Sequence, residues 1–262
     1  MSNNLPVALM KKLWKDTFHD ASTYVNRIFG CWVDPEFSLY RKNGEGKLLS
    51  MLCAHDFTFT GGFKGLYLHG LATLPEARGN GLMTSLLKET VINGRNKGFD
   101  FLFLIPASDG LRSWYEALGF INTAPRYYTY TSEAINEFQV KASVEYTVEI
   151  IHRLEERQPY GSLIHSLTDT IAVAEEWSEA GNDVLVAQED RFLFKTPDCI
   201  SAIDSITLER HLSGEKGIKT YLYPDQLNEV GESLTFFEEP YAMIYPLIPK
   251  LHQRLFVNFL MD

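Results

Sequence analysis

Residues 66–87 (LYLHGLATLPEARGNGLMTSLL) constrain the fold most, because an apolar strand pattern runs into a glycine-containing turn that opens a helix. Gly79 and Gly81 can adopt positive φ and let a ligand approach the backbone closely. The first turn of the following helix adds unpaired N–H groups and the positive end of the helix dipole. Arg78 supplies a cationic donor at the rim. The pattern predicts an anion-binding turn, although two glycines alone also fit an ordinary turn.

The residues around this turn point to one kind of phosphate loop. The stretch lacks the lysine and hydroxyl of a P-loop, and its glycines do not complete the G-x-G-x-x-G of dinucleotide-binding folds. Residues 78–83 (RGNGLM) instead resemble the acyl-CoA pyrophosphate loop of the GNAT superfamily of N-acetyltransferases, whose usual form is Gln/Arg-x-x-Gly-x-Gly/Ala. Arg78 and Gly81 match this form, whereas Met83 stands where the family has a small residue.

Two further blocks carry the same resemblance. Residues 99–107 (FDFLFLIPA) predict a buried strand, and residues 109–120 (DGLRSWYEALGF) predict a helix whose end is marked by Gly119. The ending from Tyr115 to Phe120, Tyr-x-x-Leu-Gly-Phe, is similar to the GNAT segment in which the tyrosine faces the thioester. Residues 13–20 (LWKDTFHD) also resemble one branch of the superfamily.

Length and element order indicate two domains. The 262 residues exceed one average domain, and alternating strands and helices in the first half build a mixed sheet with right-handed crossovers. We expect an α/β (α+β) fold, with a mixed twisted sheet of the acyl-CoA N-acyltransferase type in residues 1–135. Residues 136–262 are expected to form a second, smaller α+β accessory domain. A degenerate second copy of the GNAT architecture is one alternative for it.

Local patterns predict several elements. Residues 37–41 and 47–57 flank a turn at residues 43–46 and indicate a hairpin. Asp20 is expected to cap the second helix, and Gly61, Gly62 and Gly65 to turn the chain into the strand before the loop. In the second half, an apolar face from Ile164 to Trp177 predicts a helix that ends at Gly181.

Charge is distributed unevenly along the chain. Residues 1–135 carry 14 Lys and Arg against 12 Asp and Glu, whereas residues 136–262 carry 10 against 22. The acidic half disfavours nucleic acid and anionic membranes as partners and favours a cationic one. The alternative is that the acidic excess only aids solubility.

The cysteines and the apolar runs restrict the cellular setting. Cys31, Cys53 and Cys199 are scattered and odd in number, so neither a disulfide framework nor a metal site is expected. The apolar runs are shorter than the ~20 residues that span a bilayer, and the first residues lack the pattern of a signal peptide. We therefore expect a cytoplasmic protein.

The resemblance implies an N-acetyltransferase that uses acetyl-CoA as acyl donor and a primary amine of a small molecule or protein as acceptor. Tyr115 is the implied general acid, and a packed aromatic is the alternative for this residue. A non-catalytic acyl-CoA-binding or interaction module is the alternative function. The residues implied to bind the cofactor are Leu71, Ala72, Thr73, Arg78, Gly79, Asn80, Gly81, Leu82 and Met83.

The general base has three candidates. The strand position where some family members place a glutamate falls at Gly65. His69 shares a strand face with Tyr67, and an ordinary histidine pKa suits proton removal near neutral pH. Asp262 follows an apolar run and resembles the ending of Eis-type acetyltransferases, whose terminal carboxylate returns to the active site. A water chain is the third candidate.

Overall fold

A computed structural model describes residues 5–132, 135, 138, 140–187, 191–213, 217–229, 235–248, 251 and 255–257. The chain divides into two compact units, Met1–Thr123 with Ala242–Gln253 and Ala124–Tyr241 with Arg254–Asp262. This division differs from the single boundary expected after residue 135, because the first unit includes a segment from near the end of the chain. The hydrophobic periodicity of a segment can indicate a strand, but it does not indicate which distant sheet that strand joins.

Helices and strands alternate along most of the chain. The helices are α1 (Val7–Phe18), α2 (Ser22–Cys31), α3 (Leu82–Asn96), α4 (Asp109–Ala117), α5 (Val144–Glu155), α6 (Leu167–Glu179), α7 (Ser205–His211) and α8 (Gln226–Glu229). The strands are β1 (Leu39–Lys42), β2 (Leu48–Phe59), β3 (Phe63–Thr73), β4 (Phe101–Leu104), β5 (Ile121–Thr131), β6 (Val140–Lys141), β7 (Leu163–Ile164), β8 (Asp183–Val186), β9 (Phe192–Lys195), β10 (Cys199–Ile203), β11 (Ile218–Leu222) and β12 (Phe237–Pro246).

The first unit contains a mixed sheet with the strand order β1-β2-β3-β4-β12. β2 pairs antiparallel with β1 and β3, β3 pairs in parallel with β4, and the end of β12 pairs antiparallel with β4. The predicted hairpin is confirmed as β1-β2. Its turn is stabilised by the Asn43 side chain, which accepts hydrogen bonds from the N–H groups of Glu45 and Lys47.

Helix α3 packs on this sheet through one face. Leu86, Leu87 and Thr90 are buried, and Gly98 follows the helix with φ of +76°. The buried core of the unit consists of Leu39, Leu52, Ala54, Leu66, Leu68, Leu86, Leu87, Phe99, Leu102, Leu104, Tyr115, Phe120, Met243 and Leu247.

Two local predictions in this unit are wrong. Asp20 does not cap α2, because its carboxylate accepts a hydrogen bond from the Trp14 indole at 2.8 Å, and Ala21 precedes the helix without a side-chain cap. Gly61 and Gly62 form the turn as expected, but Gly65 lies within β3. A β-carbon on Gly65 would lie 2.6 Å from the ring of Phe101, so this glycine permits close ring packing rather than a turn.

The second unit contains a mixed sheet in which the strand order is β5-β11-β10-β9-β8-β6. β10 and β11 are parallel, and the other pairs in this order are antiparallel. The core cluster of the unit consists of Tyr127, Phe138, Leu193, Ile200, Ile203, Leu208 and Leu222.

Helix α6 differs from its predicted form at its start. It begins after Ser166, whose hydroxyl forms a capping box with Asp169, and it ends before Gly181 as predicted. Leu167 is 60% exposed, whereas Trp177 is buried, so the predicted apolar face is correct only in its second half. The apolar run before Asp262 is described only at residues 255–257, where Phe256 exchanges backbone hydrogen bonds with Gly161 and Leu163.

Candidate functional site

The turn between β3 and α3 has the backbone conformation that the sequence predicts. Gly79 and Gly81 have φ of +78° and +70°, and Gly81 precedes α3 without any side-chain cap. A β-carbon at either glycine would meet nothing within 4 Å, so the glycines are required by conformation and the space beside them is open. The first-turn N–H groups of α3 are therefore available to an anion.

Side chains of the turn fix its shape. Arg78 donates from Nε to the Thr73 carbonyl at 3.2 Å, which ties the turn to the end of β3. Asn80 donates from Nδ2 to the Ala77 carbonyl at 3.2 Å and closes the turn on itself. These bonds use only Nε of the Arg78 guanidinium, which leaves its terminal N–H groups to act as charge-assisted donors.

A pocket of about 330 Å³ opens at this turn. It brings together six of the nine residues expected to bind the cofactor, and Leu71, Ala72 and Asn80 lie beside these six in the sequence. Trp114 from α4 forms part of the wall, and Trp114, Ala77 and Thr84 are the lining residues outside the predicted set. The lining residues are Thr73, Ala77, Arg78, Gly79, Gly81, Leu82, Met83, Thr84 and Trp114.

The pairing of β3 changes just before this pocket. Its parallel ladder with β4 runs from Gly65 to Tyr67, and the register with β4 includes no later residue of β3. On the other side, Met51 pairs with Ala72 and Cys53 with His69, so two residues of β3 lie opposite one residue of β2. This is a β-bulge, and it leaves the β4-facing edge of residues 71–73 open to a ligand.

Gly70 and Trp14 form the bulge together. Gly70 has φ of +56°, which favours glycine, and a β-carbon there would lie 2.1 Å from Cζ3 of Trp14. Trp14 is only 5% exposed and packs from α1 against this strand. A glycine inside a strand pattern is the signal that could have indicated the bulge from the sequence.

His69 lies on β3 with the ring stacking that a shared strand face with Tyr67 predicts, their centroids 5.2 Å apart. Its Nε2 is 2.6 Å from the Trp32 carbonyl, a geometry in which Nε2 carries the proton and donates it. Burial lowers the pKa of His69 to about 4, and the nearby His55 acts in the same direction while the bond to Trp32 opposes it. The ring is therefore neutral at pH 7, with Nδ1 as its acceptor atom.

Tyr115 lies on α4, which begins after the capping hydroxyl of Ser108. The tyrosine is 6% exposed, and its ring meets Trp114 and Phe120 at centroid distances of 5.0 and 5.6 Å. Burial raises the pKa of Tyr115 to about 12, so the phenol keeps its proton at neutral pH. Its neighbour Trp114 lines the pocket.

Three further expectations concern Asp262, metal binding and membrane-spanning helices. Asp262 lies outside the described residues. Within the described ranges, no group of three or more His, Cys, Asp or Glu side chains could hold a metal ion. None of the described helices combines the length and apolar character needed to cross a bilayer.

Residues 7–120, which include the whole pocket, match the model of the Acetyltransferase (GNAT) family. No curated protein matches the sequence. The solved structures that share the fold include the following three. A GCN5-related N-acetyltransferase from Kribbella flavida is 16% identical, with 92% of this chain and 69% of that chain covered and a TM-score of 0.62.

The second of these structures is Eis1 from Mycobacterium abscessus, which is 11% identical with 91% of this chain and 70% of that chain covered and a TM-score of 0.61. The third is a GCN5-related N-acetyltransferase from Anabaena variabilis, which is 12% identical with 92% and 70% covered and a TM-score of 0.59. These likenesses confirm the expected fold class.

Proposed function

We propose, from the premise that residues 7–120 match the GNAT acetyltransferase family, that the protein transfers the acetyl group of acetyl-CoA to a primary amine of a small molecule or protein. The observation that carries the proposal is the uncapped start of α3, which opens into the pocket beside Gly79 and Gly81.

The start of α3 suits the pyrophosphate of the acyl donor. Backbone N–H groups that point into open space, together with the positive end of the helix dipole, stabilise an anion without a cationic side chain directly beneath it. Arg78 adds charge-assisted donors at the rim of the same pocket. Met83 lines the pocket where the family has a small residue, and its flexible thioether side chain can adjust to a ligand.

The open edge of β3 suits the pantetheine arm. Leu71, Ala72 and Thr73 follow the bulge, and their edge is not used by β4. An extended amide-containing arm can pair with such an edge as an additional strand would. A backbone N–H at the bulge can also polarise the thioester carbonyl, as oxyanion-hole donors do.

The reaction needs one proton donor and one proton acceptor. The amine nitrogen forms a bond to the acetyl carbon as the carbon–sulfur bond breaks, and the ammonium proton passes to a base. In this proposal Tyr115 donates its proton to the leaving sulfur. The raised pKa of Tyr115 supports this role because it keeps the phenol protonated at working pH.

Three groups compete for the role of base. The neutral ring of His69 can accept a proton at Nδ1, although a pKa of about 4 makes it a weak base for an ammonium group. The carboxylate of Asp262 and a water chain are the other two. Deleting Asp262 separates these alternatives: a loss of turnover with the free energy of unfolding unchanged supports the carboxylate, and unchanged turnover excludes it.

We expect a cationic acceptor, because residues 136–262 carry 10 Lys and Arg against 22 Asp and Glu. A panel of amines with acetyl-CoA, read by release of the free thiol, tests the function. The panel pairs each cationic amine with a neutral analogue at low and high salt. Transfer to at least one amine is the expected result, with kcat/KM falling as salt rises only for cationic acceptors.

The controls of this panel separate catalysis from binding. If thiol release stays at the level of the amine-free reaction for every amine while CoA still binds, the protein is a non-catalytic acyl-CoA-binding module. If the best acceptor is neutral or anionic, the acidic surface serves solubility.

A cytoplasmic setting is part of the same proposal. Cys31, Cys53 and Cys199 are all free thiols, the state that reducing compartments maintain. Fractionation of cells that express the full chain, with acetyltransferase activity followed in each fraction, tests this location.

A further inference from the structure

The second unit contains its own pocket, of about 280 Å³. The pocket is formed by the end of α5, the start of β9 and the start of α7. Its walls combine three arginines, Arg153, Arg157 and Arg191, with apolar side chains that include Leu154 and Phe192. A concave site with a few convergent polar groups on an apolar wall is typical of small-molecule binding.

Two of the arginines come from adjacent turns. Arg153 is the third residue from the end of α5, Arg157 follows just after the helix, and both line the pocket. Arg153 is steadied by the ring of Tyr146 at 5.4 Å and by the Glu149 carbonyl at 3.5 Å. The third arginine, Arg191, immediately precedes β9 and lies 6.0 Å from the ring of Phe138.

Asp204 is the one acid among the described residues that line the pocket, and it is already engaged. The carboxylate of Asp204 accepts hydrogen bonds from the Thr207 N–H at 2.8 Å, the Thr207 hydroxyl at 2.6 Å and the Phe192 N–H at 3.1 Å. These bonds make Asp204 the N-terminal cap of α7 and tie it to the first residue of β9. Three guanidinium groups and one carboxylate give the described lining residues a net charge of +2.

The positive charge of this pocket contrasts with the acidic composition of residues 136–262. Residues 136–262 contain 10 Lys and Arg against 22 Asp and Glu, and three of those ten cations line this one pocket. Convergence of three arginines on one partly apolar cavity, in so acidic a half of the chain, indicates a site built for an anion.

We infer that this pocket binds a small phosphate monoester whose organic part is apolar. A phosphate carries about −1.5 to −2 charges near pH 7, which matches the net charge of the lining residues. Planar guanidinium groups present paired donors that fit phosphate oxygens, and three of them can serve one phosphate group. The apolar body lies against Ile150, Leu154 and Phe192, and the volume limits it to roughly one ring.

Phenyl phosphate is the probe, with inorganic phosphate and phenol as its two halves. Isothermal titration calorimetry on the full chain should show saturable binding of phenyl phosphate that is tighter than that of either half. Arg157→Gln should weaken binding about tenfold or more, because a charge-assisted hydrogen bond is lost. The control Arg95→Gln removes an exposed arginine of α3 and should leave the affinity unchanged.

A second measurement needs no variant. Phenylglyoxal modifies accessible arginines, and peptide mass spectrometry on the wild-type chain reports each site. Phenyl phosphate should protect Arg153, Arg157 and Arg191 together and leave Arg95 reactive.

The two binding sites can be told apart. Phenyl phosphate should bind in the presence of saturating CoA and in a Gly81→Val variant. Competition by CoA, loss of binding in Gly81→Val, equal weakening by Arg95→Gln, or failure to protect the three arginines would each overturn the inference. None of these results bears on acetyl transfer, which is tested separately by the amine panel.

Discussion

Gly70 and Trp14 are packed so closely that a β-carbon on the glycine would lie 2.1 Å from Cζ3 of the indole ring. The glycine also has φ of +56°, a conformation that other residues rarely adopt. The pair fixes the bulge in β3, and the open strand edge at residues 71–73 follows directly from that bulge. Helix α1 therefore helps to shape the site without lining the pocket.

Gly70→Ala should lower the free energy of unfolding by about 2–5 kcal/mol, because it combines a left-handed alanine, ~1–2 kcal/mol, with overpacking of ~1–3 kcal/mol. Urea denaturation of the folded variant measures the loss. The matched control is Gly46→Ala, since Gly46 has φ of +83° and a β-carbon there would meet nothing within 4 Å. Equal losses in the two variants would show that Trp14 does not restrict Gly70.

Tyr115→Phe should lower kcat by roughly 10²–10⁴, the usual effect of removing a general acid. The dissociation constant of CoA should change little, because the ring and its contacts with Trp114 and Phe120 are kept. Steady-state kinetics with the best acceptor and calorimetry with CoA give the two values. Tyr245→Phe, which removes a hydroxyl from another ring beside Phe120, is the control. Wild-type turnover in Tyr115→Phe would remove this residue from the mechanism.

His69 should contribute to the acid sensitivity of the fold. Burial lowers its pKa to about 4 in the folded protein, below the unfolded value of 6.5. The neutral ring is therefore favoured by folding, and its contribution is fully present above pH 6.5 and is lost as pH falls through about 4. His69→Gln keeps an N–H donor for the Trp32 carbonyl but cannot titrate, so it should lose less stability than the wild type across this range.

Urea denaturation between pH 6.5 and 4 tests this prediction, with His152→Gln on α5 as the control. Equal pH dependence in the wild type and His69→Gln would contradict it. The same variant informs the mechanism, because a base with this pKa gives a low-pH limb of kcat/KM near 4 that disappears on substitution.

The features that were predictable from the sequence are local. The positive φ of Gly79 and Gly81 and the start of α3 follow from neighbouring residues, and so does the β1-β2 hairpin. A short-range pattern specifies each of them: glycine conformation, helix periodicity, or turn chemistry at Asn43. The expected phosphate loop therefore has its predicted backbone.

The features that were not predictable depend on contacts between distant segments. Trp14 meets Gly70 across 56 positions of sequence, and the end of β12 joins the first unit beside β4. Asp20 had the residue type of a helix cap, but the indole of Trp14 is a competing donor that only the folded chain brings near. Trp114 reached the pocket wall in the same way, through the placement of α4.

The central claim is that the acyl donor is held at the start of α3, and the most direct measurement is CoA affinity by calorimetry in Gly81→Val and Gly98→Val. The two glycines flank the same helix, have φ of +70° and +76°, and have open space around them, so both valines impose similar strain. We predict that Gly81→Val weakens CoA binding at least tenfold by misaligning the first-turn N–H groups, whereas Gly98→Val leaves it unchanged. Unchanged affinity in a folded Gly81→Val protein would contradict this account and place the donor elsewhere.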